Sequence, residues 1–83
     1  MLVSNAIKKM SKFGPVKTNG NRHSITENGY EVEVLQNGGD YASEVAVIRV
    51  RRVNDHDDPM TDYSAGVFCD NLTQALRIAK LTY

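Results

Sequence analysis

The stretch Asn54-Asp55-His56-Asp57-Asp58-Pro59-Met60-Thr61-Asp62-Tyr63 gathers four aspartates and a histidine within ten residues. Oxygen ligands at that density suit a hard cation such as Ca²⁺ or Mg²⁺. The spacing is not that of an EF-hand, because no glycine stands at the centre of the run and no glutamate closes it. The same carboxylates also suit a basic surface, either by mimicking nucleic-acid phosphates or by docking on an arginine-rich partner. The plainer alternative is a solvated loop whose aspartates bond to their own backbone in side-chain turns. Asp55, His56, Asp57, Asp58, Asp62 and Tyr63 are the residues expected to meet a partner, and no metal or cofactor is assigned to them.

Two basic groups invite the opposite chemistry. Lys8, Lys9, Lys12, Lys17 and Arg22 stand in the first 26 residues with no acid among them, and could track a phosphate backbone. A lysine-bearing helix face is also what solubility asks for. Arg49-Val50-Arg51-Arg52 has the look of a basic strand for RNA or DNA. Sheet-based RNA readers, however, set aromatics beside the basic residues so that bases can stack. Here Glu31 and Glu33 are expected across from Arg51 and Arg49, and cross-strand ion pairing is the expected outcome.

No set of residues reads as an active site. There is no G-x-S-x-G, no C-x-x-C and no pair of carboxylates in an apolar setting. Cys69 lies in an apolar strand, where a cysteine behaves as a small core residue rather than a reactive thiol. His23 is expected at a sheet edge, partly buried. The chain is read as a binding protein and not as an enzyme.

The elements that must position these groups follow from periodicity. Val3, Ala6, Ile7, Met10 and Phe13 recur at helical spacing and predict a helix over 3–13, capped by Ser4 or Asn5 and stopped at Phe13-Gly14-Pro15. Asn28-Gly29 between two alternating runs predicts a two-residue type I′ hairpin that sets Glu27 opposite Tyr30, Ile25 opposite Val32 and His23 opposite Val34. Residues 45–53 predict a further strand, with Ala46, Ile48 and Val50 on one face and Val47, Arg49 and Arg51 on the other. Gly66 to Cys69 predicts a short fourth strand. From Leu72 a helix is expected to run to the end, opened by Asn71 and Gln74 as a capping box. The predicted fold class is α+β, with two terminal helices on one antiparallel sheet of three to four strands in the order α-β-β-β-β-α. The segment near Val16 is a candidate extra edge strand.

Eighty-three residues make one domain, 1–83, with 41% hydrophobic and 24% charged residues, a balance that argues against disorder. The formal charge is zero but unevenly spread: +5 over residues 1–26, −7 over 27–70 and +2 over 71–83. The single cysteine excludes an internal disulfide, and no apolar run approaches membrane-spanning length. The N-terminal lysines follow the apolar residues, which is not the order of a signal peptide. A cytoplasmic protein with no membrane partner is expected.

The runs Val50-Arg51-Arg52-Val53-Asn54-Asp55-His56-Asp57-Asp58, Thr61-Asp62-Tyr63-Ser64-Ala65-Gly66-Val67-Phe68 and Asp70-Asn71-Leu72-Thr73-Gln74-Ala75-Leu76 resemble a pattern in small proteins of tailed phages and mobile elements. There a basic strand, an acidic turn, an aspartate–tyrosine pair with a nearby glycine, and a C-terminal helix occur together. Ser64 departs from the pattern, at a position where an aromatic is commoner. The resemblance implies a phage interaction protein, in the host cytoplasm, that binds a host protein or protein–nucleic-acid complex, for instance as an anti-CRISPR-like inhibitor of bacterial defence. The terminal helices also resemble the layout of double-stranded-RNA-binding domains, but Asp70-Asn71-Leu72-Thr73 stands where those carry a basic helix start. The alternative expectation is a small nucleic-acid-binding protein using Lys8, Lys9, Lys12, Lys17 and Arg22.

Overall fold

The computed structural model describes residues 1–37, 44–53 and 66–81. In chain order the elements are α1 (Val3–Met10), β1 (Lys17–Asn19), β2 (Arg22–Glu27), β3 (Tyr30–Gln36), β4 (Val45–Arg52), β5 (Val67–Cys69) and α2 (Leu72–Ile78). The fold is α+β as predicted, but the antiparallel sheet has five strands, in the order β1-β2-β3-β4-β5, and not three to four. The additional strand is β1, the segment near Val16. Gly20, at φ +65, lets the chain reverse and pair Lys17 with Ser24, Thr18 with His23 and Asn19 with Arg22.

The β2–β3 hairpin forms in the expected register. Asn28 and Gly29 have φ of 56° and 78°, the two positive values a type I′ turn requires, and Glu27 faces Tyr30. That register turns Ile25, Val32 and Val34 to one side, where they meet Ile48 and Val50 of β4. The same side receives α1 over β2 and β3, and α2 over β4 and β5. Met10, Ala6, Leu72, Ala75 and Leu76 close the core against those strands.

Four local features differ from the sequence reading. Neither Ser4 nor Asn5 caps α1: its N-cap is the extended Leu2, held by a bridge between Leu2 and Glu44. The helix stops at Met10, and Gly14 is not in the left-handed region. At Gly14 the chain passes against the Glu27 side chain, whose carboxylate lies where a Cβ would stand and can swing aside. In β4 the pairing shifts between Leu35–Val47 and Gln36–Val45, leaving Ala46 as the extra residue of a bulge. Ala46 is therefore exposed, and Val45 packs against the core in its place.

The fourth difference is the end of α2, which does not continue to the C-terminus. Lys80 takes φ 62°, its N–H donates to Arg77 O at 3.0 Å, and the Leu81 N–H donates to Leu76 O at 2.8 Å. Those two bonds are a Schellman turn, and they fold Leu81 back into the core. At the other end the cap is as expected: Asn71 Oδ1 accepts from the Gln74 N–H at 2.8 Å. The reciprocal bond falls one residue earlier than in a standard capping box, from the Asp70 N–H to Gln74 Oε1 at 3.1 Å.

Candidate interaction surfaces

The face of the sheet turned away from the helices carries the charged ladder. Arg51 Nε donates to Glu31 Oε1 at 2.7 Å and Arg49 Nη2 donates to Glu33 Oε1 at 3.0 Å, each across one rung of the β3–β4 pairing. Period-two alternation dictates this, because the parity that puts Val32 beside Val50 must put Glu31 beside Arg51. The two arginines that resembled a basic strand are thus occupied by carboxylates, as expected. Arg49 Nε is buried with no hydrogen-bond partner among the described residues, so that pair is only partly satisfied.

His23 is fully buried, not partly exposed at an edge. The reason is β1, which pairs outside β2 and brings Thr18 over the ring. Thr18 Oγ1 lies 2.9 Å from Nδ1 and Gln36 Oε1 lies 3.0 Å from Nε2. The amide oxygen can only accept, which places a proton on Nε2 toward Gln36, while the Thr18 hydroxyl engages Nδ1. Both ring nitrogens are therefore engaged in structural bonds, leaving no lone pair for a reacting group. Gln36 reaches this interior by the same alternation that buries Val32 and Val34.

Cys69 packs partly against the core beside Ile48. Burial, with the Asp70 carboxylate as a second cause, pushes its thiol pKa up, so the nucleophilic thiolate is disfavoured at neutral pH. A cleft of about 350 Å³ lies between the start of β4, the end of β5 and the start of α2, with Met1 and Phe68 on its lining. Phe68 and Val67, 69% and 53% exposed, stand on the edge strand β5. These two exposed apolar residues were not singled out from the sequence, where Val67-Phe68-Cys69 reads only as a short apolar strand.

The acidic residues Asp55, His56, Asp57, Asp58, Asp62 and Tyr63 lie outside the described residues. Among the described residues no group of three or more His, Cys, Asp or Glu side chains is placed to hold a metal ion. Among them, too, no helix is long and apolar enough to cross a membrane.

The basic residues expected to act together are divided between two faces. Lys17 and Arg22 pair opposite Ser24 and Leu35, which places them on the sheet face away from the helices. Lys8, Lys9 and Lys12 follow the helix layer instead. Lys9 Nζ donates to Thr73 Oγ1 at 2.7 Å, linking α1 to the start of α2, and both helices pack on the same sheet face, with Arg77 in α2 and Lys80 in the turn after it. Arg77 of α2 and Lys80 of the turn after it were not grouped with these lysines, because they are remote in sequence from the N-terminal cluster.

The two helices also run the same way. Met1 and Leu2, before α1, bond to Glu44 and Val45 at the start of β4, while the chain after α1 brings Gly14 against Glu27 near the hairpin turn. The α2 N-terminus follows β5, and its C-terminus meets the same turn, where Asn28 Nδ2 donates to Ala79 O at 3.2 Å and Lys80 O at 3.3 Å. Both helix C-termini point to the hairpin end, and the last-turn cations Lys8, Lys9 and Arg77 complement the helix dipoles. No protein family, characterised protein or solved structure matches this chain.

Proposed function

We propose that this chain is a non-enzymatic interaction module that binds a macromolecular partner by charge complementarity. The observation that carries the reading is the polarity of the helix layer. Lys8, Lys9, Lys12, Arg77 and Lys80 belong to it, and no acid occurs in residues 1–26 or 71–83. Side chains with the chemistry of a catalyst are used structurally: His23 is held between Thr18 and Gln36, and Glu31 and Glu33 are paired with arginines. A surface of one sign steers a partner of the other and raises its association rate.

The resemblance to small phage and mobile-element proteins supports a host-directed role in the bacterial cytoplasm. The partner is then a host protein or protein–nucleic-acid complex, and an anti-CRISPR-like inhibitor of defence is one form this takes. The acidic run from Asp55 to Tyr63 supplies a second contact surface of opposite sign, suited to a basic partner.

Affinity capture from bacterial lysate, with and without nuclease, tests the module. The expected result is a defined partner in stoichiometric yield, recovered less well as salt rises. The triple change Asp55→Asn, Asp57→Asn and Asp58→Asn is expected to leave the melting temperature unchanged or slightly raised and to slow association by a salt-sensitive margin. A chain that captures nothing beyond a charge-matched control would sink the reading. Stabilisation of the wild type, but not the triple variant, by millimolar Ca²⁺ or Mg²⁺ would make the acidic run a metal site instead.

A further inference from the structure

The helix layer specifies what kind of anion it meets. Its outward positions are cations and small hydrogen-bond donors: Lys8, Lys12, Arg77 and Lys80, with Ser4, Asn5, Ser11, Thr73 and Gln74 around them, all exposed. Lysine and arginine, with hydroxyl and amide side chains, are the groups that contact nucleic-acid phosphates. Protein-binding patches differ, because they centre on apolar and aromatic anchors. Here Ile78, 37% exposed, is the one outward apolar residue of α2, and neither helix contains an aromatic. Without aromatics the two helices offer no platform on which unpaired bases could stack, which disfavours single strands on this face. A duplex, recognised through its backbone alone, needs no such platform.

We propose that the outer face of α1 and α2 docks on the phosphate backbone of a nucleic-acid duplex, with Lys8, Lys12, Arg77 and Lys80 as the contacting cations. Lys9 is committed to its bond with Thr73 and is not counted among the contacting cations. Lys17 and Arg22, on the far face of the sheet, take no part. The inference rests on the interaction-module reading and names the partner of its helix layer.

Titration of a short fluorescent DNA duplex of arbitrary sequence against the full chain at several salt concentrations is the test. Four neutralised phosphates give a slope of about −3.6 in log K against log salt, or a loss of about 150-fold between 50 and 200 mM salt. The Lys8→Gln, Lys12→Gln, Arg77→Gln variant should fall to a slope of about −1, and so lose only about three- to fourfold over the same range. These three side chains are exposed, so the variant should keep the wild-type circular dichroism, with a melting temperature lowered only by the lost complement to the helix dipoles at Lys8 and Arg77. The Lys17→Gln, Arg22→Gln variant should bind the duplex with the wild-type slope. The assignment is overturned by no binding at about 50 mM salt, by a triple variant that binds as the wild type does, or by loss of the slope in the Lys17/Arg22 variant. Nuclease-resistant capture of an acidic protein, lost in the triple variant, with no duplex binding, would overturn the nucleic-acid partner and leave the module standing. Absence of both would remove the two together.

Discussion

Replacing Arg49 with Met is expected to cost the fold about 2–3 kcal/mol, far more than the same change at Arg51. The Glu33 side chain is 9% exposed and its Arg49 partner 22%, at 3.0 Å. Removing the guanidinium therefore strands a carboxylate that water barely reaches. In the second pair Glu31 is 18% and Arg51 35% exposed, so solvent screens the interaction, which is worth about 0.5 kcal/mol. Met and Leu keep the alkyl volume of Arg and Glu, so a double-mutant cycle built from Arg49→Met and Glu33→Leu isolates the charges. The double variant removes the stranded carboxylate and the unpartnered Arg49 Nε together, and should recover most of the single-variant loss. Urea denaturation with an unchanged m value gives the four free energies. For a domain of this size each 1 kcal/mol corresponds to about 4–8 °C in Tm. The expected coupling is about 2 kcal/mol for Arg49–Glu33 and 0.5 kcal/mol or less for Arg51–Glu31. Equal couplings would refute the weight given to burial, and no coupling in either cycle would refute the neutralisation of this face.

Asn28 has two tasks that substitution can separate. Asn28→Gly keeps the turn conformation but loses the bonds to Ala79 O and Lys80 O, for an expected cost of about 1 kcal/mol by thermal unfolding. Asn28→Asp should cost more, because it replaces the donor with a negative charge facing helix carbonyls, and high salt should narrow the difference. Lys80→Gly should stabilise the chain by about 0.5–1 kcal/mol, since glycine adopts φ 62° without strain; an unchanged or lower Tm would count against the Schellman assignment. Cys69 predicts an alkaline limit. Its thiol binds the proton more tightly in the folded chain than in the unfolded one, so its contribution is full below the ordinary thiol range and is lost as pH rises through the folded-state value. Cys69→Ser should flatten that stretch of the stability–pH profile, and Cys69 in the folded chain should alkylate more slowly than a free thiol.

Much of the architecture was legible because it depends on near neighbours. Asn28-Gly29 sets a two-residue loop, the loop sets the register, and period-two alternation then carries both faces across β2, β3 and β4. The Glu–Arg ladder and the Asn71 cap followed from the same local rules. Four outcomes depended instead on contacts between residues distant in the chain. A three-residue edge strand, all of it exposed, has too little hydrophobic pattern to declare itself, yet its pairing is what buries His23. The bulge at Ala46 reverses one position of β4 and reflects the mismatch between that strand and the end of β3. Asn28 caps a helix 51 residues further on, a partnership no spacing rule contains. The basic residues were visible as a count, but charge by itself has no face. Only the strand parity that turns Lys17 and Arg22 away, and the packing that sets α2 beside α1, decided which cations share a surface.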